Sequence, residues 1–140
     1  MIRWSKLKAD IERLMDPELK FQIYANSYRI GESVPVPRFW ITIKQQIIWD
    51  WPKDFVNDGR EWYFYSEAQK TSQLLRDYIN TPEKDLLTKE FSDPFQMIPI
   101  LIACDRRVGK RRLAALLDDP QYSGVVSLIA ARLNKDGETQ

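Results

Sequence analysis

The stretch RFWITIKQQIIWDW, residues 38–51, decides the fold, because it reads as two short strands near 38–44 and 47–51 joined by a tight turn. Its register decides which tryptophans are buried. A two-residue turn at Gln45-Gln46 pairs Ile43 with Ile48 and places Trp40, Trp49 and Trp51 on one face. A three-residue turn pairs Ile43 with Ile47 and gathers Phe39, Ile41, Ile43, Ile47, Trp49 and Trp51 together, leaving Trp40, Thr42, Lys44, Ile48 and Asp50 opposite. A one-residue slip exchanges the two faces of a strand, so the cleaner partition favours the second register. The turn lacks the glycine that three-residue hairpins prefer.

Working outward, FQIYANSYRI alternates as a strand near 20–30, and Gly31 with Pro35 and Pro37 breaks it. Trp4, Leu7, Ile11, Leu14 and Met15 recur at helical spacing, predicting an amphipathic helix over roughly 4–16. The stretch WPKDFVNDGREWYFY, residues 51–65, reads as a long connection with a short strand at 62–65. Ser66 and Gln69 then make a capping box for a helix running to about Tyr78, burying Leu74, Leu75, Tyr78 and Ile79. Thr81-Pro82 is a further helix start. Helical patterns follow near 98–107, 110–118 and 122–134. The expected fold is α+β: a small antiparallel sheet with helices packed on one face and a helical C-terminal half. One domain spans 1–140, with a helix and strands in 1–65, helices in 66–134 and a polar tail at 135–140.

Charge is distributed unevenly. The net charge is +1, yet residues 1–105 carry 14 Lys/Arg against 16 Asp/Glu, and residues 113–140 carry 2 against 4. The whole positive excess lies in DRRVGKRRL, residues 105–113, as Arg106, Arg107, Lys110, Arg111 and Arg112. On one straight helix, Met97, Leu101, Cys104 and Val108 would lie about 140° from Leu113, Leu116 and Leu117. A break at Gly109 removes the conflict, making the motif a corner between two helices. Arg106 and Arg107 would then sit in a last helical turn, where exposed carbonyls favour cations by about 0.3–1 kcal/mol each. Lys110, Arg111 and Arg112 would open the next helix, where the dipole disfavours them. Those three need an acidic surface within the fold or an anionic partner.

The remaining composition mostly excludes. The chain has no histidine, which removes the usual general base near neutral pH, imidazole-dependent triads and His-containing zinc sites. Its single cysteine, Cys104, lies in the apolar run MIPILIACD and reads as a buried, inert thiol. No metal or cofactor motif occurs, so no cofactor is expected. The opening MIRWSKLKADIERLM lacks an unbroken apolar stretch and carries Asp10 and Glu12, so neither a leader nor a membrane span is expected, and a cytoplasmic location follows. The aromatics from Phe39 to Tyr65 could form a base-stacking platform, but an aromatic core suits a small sheet better, because few cations lie between them.

Together, the hairpin and the run ACDRRVGKRRL resemble a small family of bacterial cytosolic proteins of no established activity, with a similar Trp-rich hairpin and a D-R-R-x-G-K corner. The resemblance extends through TPEKDLLTKEF. It implies a bacterial, non-secreted protein and carries over no catalytic residue.

Three functions stay open. The first is a non-catalytic protein-binding module, immunity- or regulator-like, meeting an acidic protein partner through Arg106, Arg107, Lys110, Arg111, Arg112 and the exposed Trp40. The second is RNA or DNA binding through the five cations, with strong salt dependence. The third is a hydrolase working through Asp50, Asp54 or Glu61. Catalysis is the least expected, and no catalytic residue is assigned.

Overall fold

The computed structural model describes residues 4–29, 35–51, 71–93 and 96–134. In chain order it builds helix α1 (Trp4–Arg13), a 3-10 turn (Pro17–Leu19) and strands β1 (Gln22–Arg29), β2 (Pro35–Ile43) and β3 (Gln46–Trp51). Helical residues 71–79 (α2) and a 3-10 turn (Glu83–Asp85) follow. Next come α3 (Met97–Cys104), α4 (Lys110–Leu116), a 3-10 turn (Pro120–Val125) and α5 (Val126–Asn134). The three strands form an antiparallel sheet in the order β1-β2-β3. This is the expected α+β arrangement, helical in its C-terminal half. The proposed strand at 62–65 and the capping box at Ser66 and Gln69 lie outside the described residues.

Away from its turn the hairpin takes the second of the two registers considered, but the turn itself is one that neither alternative placed. Lys44 and Gln45 both have positive φ, 49° and 71°, and form a two-residue turn that pairs Ile43 with Gln46. This double left-handed turn matches the twist of the strands it joins. The register then shifts between Ile41 and Thr42, so that Ile41 faces Trp49 and Phe39 faces Trp51. A bulge therefore absorbs one residue and restores the predicted apolar face. Phe39, Ile41, Ile43, Trp49 and Trp51 are buried, but Ile47 does not join them. It lies on the turn side of the shift and is 53% exposed.

Helix α1 buries Leu7 and Ile11, and Trp4 meets Phe39 edge-on at 5.7 Å. Lys8 and Glu12 form an i,i+4 pair at 2.6 Å that also takes both backbone polar groups of one residue of β1: the Ile23 N–H donates to Glu12 at 2.9 Å, and Lys8 donates to the Ile23 carbonyl at 2.7 Å. The outer edge of β1 is thereby blunted where another chain could otherwise pair with it.

Helix α3 is buried on nearly all sides, as befits a central helix. Its first amides are served from outside the helix. The Asp93 carboxylate accepts from Met97 N–H at 2.9 Å and Ile98 N–H at 2.7 Å, while Pro99 has no N–H to satisfy. Burial raises the Asp93 carboxyl above its ordinary value, against the opposing effect of those two amides. The buried apolar residues of sheet and helices make one contiguous cluster.

Two sequence expectations change here. Thr81 does not cap a helix: its hydroxyl donates back to the Asp77 carbonyl at 2.6 Å, and only a 3-10 turn follows. Helix α3 ends at Cys104 rather than near 107, because Asp105 is extended (φ −71°, ψ 121°) and pairs with Met15 in an antiparallel bridge.

A candidate partner-binding surface at the basic corner

The corner between α3 and α4 is built around a buried carboxylate. Asp105 is fully buried. It accepts the Tyr78 hydroxyl proton at 2.5 Å, the Arg107 backbone N–H at 2.8 Å, Arg107 Nε at 3.1 Å and Arg107 Nη2 at 2.8 Å. Burial first, and then the Asp105 charge and hydrogen bond, push the Tyr78 phenol well above its ordinary value. The hydrogen bonds to Asp105 likewise raise Arg107. Arg107 also donates through Nη1 to the Thr81 carbonyl at 3.2 Å.

The backbone on either side of Asp105 joins distant parts of the chain. Asp16 N–H donates to the Cys104 carbonyl and Arg106 N–H to the Leu14 carbonyl, both at 2.8 Å, so 14–16 and 104–106 run as a short two-stranded clamp. Arg132, 8% exposed, reaches from α5 to the Asp105 carbonyl at 2.8 Å, the Ala103 carbonyl at 3.3 Å and Asp16 Oδ2 at 3.3 Å. Its side chain thus serves carbonyls at the end of α3, which no helical amide can reach. Cys104 lies against this network. Burial pushes its thiol up to about 12, so it has no thiolate to offer at neutral pH.

The five cations therefore divide differently from the sequence expectation. Gly109 is not the residue past the end of α3. It is the extended N-cap of α4 (φ −79°, ψ 174°), and a Cβ there would meet nothing within 4 Å. Arg106 and Arg107 consequently lie in the connector rather than in a last helical turn. They still meet helix-end or turn carbonyls, but those of other elements. Arg106 Nε donates to the carbonyl of Arg13, the last residue of α1, at 3.0 Å, and Arg107 serves Thr81. Arg112 is also held internally, by the Arg107 carbonyl at 3.1 Å and by Glu83, whose Oε1 lies at 3.3 Å. Lys110 is exposed at the first position of α4. Arg111, exposed beside it, makes no side-chain hydrogen bond or ion pair among the described residues.

Trp40 occupies the face of the sheet opposite the core, half-buried. Tyr24 stacks on it at 5.0 Å and 18°, and the Arg38 guanidinium lies 4.2 Å from its ring centroid. Arg38 in turn clamps Asp50 with two bonds of 2.9 and 2.6 Å. Asp50, 2% exposed, is thus held in a bidentate ion pair. Asp54 and Glu61 lie outside the described residues. Among the described residues no group of His, Cys, Asp and Glu is arranged to hold a metal ion, and no helix is long and apolar enough to cross a membrane.

The sequence did not single out Asp105, Tyr78, Asp16 and Arg132 as one network. Only the Asp beside an Arg pair hinted at it, because nothing local marks residues so far apart in the chain as neighbours.

The Tyr78–Asp105 bond makes an alkaline prediction. A phenol whose folded value is raised contributes stability that is complete below about pH 10, the ordinary tyrosine value, and is lost as pH rises toward the higher folded value. Tyr78→Phe should therefore melt lower than wild type at pH 8 but lose less Tm between pH 9 and 11. Thermal melts of both proteins across that range check it, since parallel slopes would remove the phenol from the network. Tyr122, also raised by burial, is common to both proteins and cancels.

Comparison with curated proteins and with solved structures finds no match. A family comparison matches residues 3–73 and 65–133, which together take in the hairpin, the α3–α4 corner and the Arg132 staple. The chain belongs to the SF0329 protein family.

Proposed function

We propose that this chain is a non-catalytic module of the bacterial cytoplasm, immunity- or regulator-like in kind, that binds an acidic segment of another protein through its basic corner. The observation that carries the reading is Arg111. It stands in the first turn of a helix, where the dipole disfavours a cation, and no carboxylate among the described residues offsets it. Arg107 and Arg112 are spent on the fold, so the contact surface narrows from five cations to Arg111 with its neighbours Lys110 and Arg106. Arginine is also a side chain that frequently dominates protein interfaces. Trp40, engaged by Tyr24 and Arg38, contributes a rigid aromatic surface elsewhere rather than an open stacking platform.

Arg111→Glu separates function from fold, because glutamate in a first helical turn suits the dipole. The variant should keep or slightly raise Tm, yet lose at least tenfold in retention of a protein captured by the wild type from native lysate. Capture should survive nuclease treatment. Recovery of nucleic acid alone, or equal capture by the variant, rejects the reading.

A further inference from the structure

A second cluster of cations, not adjacent in sequence, converges beside the corner. Arg13, Lys20 and Arg106 line a depression of about 330 Å³ together with Met15, Pro17 and Phe21. The two carboxylates that share it, Glu12 and Asp16, are already committed. Glu12 holds Lys8 and the Ile23 amide, and Asp16 holds Arg132 and the Glu18 amide. Arg106 uses only Nε there, on the Arg13 carbonyl, so its terminal nitrogens make no bond among the described residues. Lys20 makes no ion pair among them either. Arg13 has one long contact of 3.4 Å to Asp10 and is otherwise exposed.

Lys20 has a left-handed backbone, φ 53° and ψ 44°, at the end of the Pro17–Leu19 turn. A lysine in this conformation carries a steric cost that glycine would not.

We infer that this depression receives an acidic residue of the protein partner together with an apolar neighbour. The carboxylate would face Lys20 and the guanidinium of Arg106, and the apolar side chain would rest over Met15, Pro17 and Phe21. The inference rests on the protein-binding reading and extends it from Arg111 to a site with both charge and shape. Charge complementarity selects the occupant, because every carboxylate inside the depression is neutralised while its rim is cationic. The apolar floor argues for a peptide over a bare phosphate backbone.

The test uses the full chain and a synthetic ten-residue peptide of alternating glutamate and leucine, with a lysine–leucine peptide as control. Backbone amide shifts report the binding site. Expected are shifts centred on Lys20, Phe21 and Arg106 with the acidic peptide only, and at least a tenfold weaker Kd for Lys20→Gly and Arg106→Gln. Lys20→Gly suits the left-handed backbone and should fold at least as well as wild type, while Lys20→Arg should restore binding. Shifts confined to α4, with Lys20→Gly binding as wild type, would overturn the depression while leaving the Arg111 reading intact. So would a poly-uridylate oligomer producing the same shifts more tightly than the peptide. Absence of any peptide binding overturns the depression too, and the lysate capture with Arg111→Glu decides the broader reading independently.

Discussion

Asp105→Ala should lower stability by about 3–4 kcal/mol, because removing one partner of a buried ionic network leaves the others buried and unmatched. The carboxylate of Asp105 holds the Tyr78 hydroxyl and three nitrogens of Arg107. Tyr78 is fully buried, and its other neighbour in the network is the Arg107 guanidinium, 5.8 Å from its ring centroid. Arg107 has a side chain 18% exposed, so it recovers some hydration, which places the cost toward the lower end for broken buried pairs. For a chain of this length the loss corresponds to a Tm fall on the order of 10–15 °C. The decisive comparison is with Tyr78→Phe/Arg107→Met, which removes the side-chain donors and leaves only the Arg107 amide. In that background Asp105→Ala should cost far less than alone, since the buried carboxylate then has no cation and only one amide to hold it. Urea unfolding of the four proteins checks this. A single-variant loss below about 1 kcal/mol would mean that water replaces Asp105 freely, and that the corner is not held from inside.

That network also shows where sequence reasoning stops. Helix and strand positions were legible wherever the apolar period was local: Leu7 and Ile11 for α1, and Phe39, Ile41, Trp49 and Trp51 for the hairpin core. The α3–α4 break was legible because Met97–Val108 and Leu113–Leu117 could not share one helical face. What failed was geometry set by single residues. The two-residue turn at Lys44-Gln45 needs positive φ twice, and neither residue type advertises it. Pairing that turn with a bulge turns Ile47 outward without disturbing Trp49, an outcome outside any uniform register. Of the basic corner, the sequence located the cations but not their partners. Arg107 is explained by the Asp two residues before it, whereas Arg106 and Arg112 are explained by Arg13 and Glu83, which only tertiary folding brings near. Lys110 and Arg111 keep the status the sequence suggested, cations at the unfavourable end of a helix.

Arg132→Met should be comparably damaging, about 3–5 kcal/mol, and for a different reason. Arg132 joins three regions of the chain at once: Asp16 after α1, the Ala103 and Asp105 carbonyls at the end of α3, and its own helix α5. Methionine fills a similar volume, so packing changes little. What is lost is the positive charge facing Asp16, 2% exposed, and the donor to two buried carbonyls. The carbonyl loss is irreducible in any Arg132 variant, but the charge loss is not. Asp16→Asn removes the stranded charge while its side-chain oxygen still accepts the Glu18 amide that starts the 3-10 turn. The double variant Asp16→Asn/Arg132→Met should therefore recover about 1–2 kcal/mol relative to Arg132→Met, although Asp16→Asn alone is destabilising. A double-mutant cycle from denaturant midpoints at constant m-value measures this coupling. Strict additivity would show that Asp16 and Arg132 neutralise each other through solvent and not across the buried contact. A positive coupling would identify α5 as the element that locks the α1 end to the α3 end, holding Arg13, Lys20 and Arg106 around one depression.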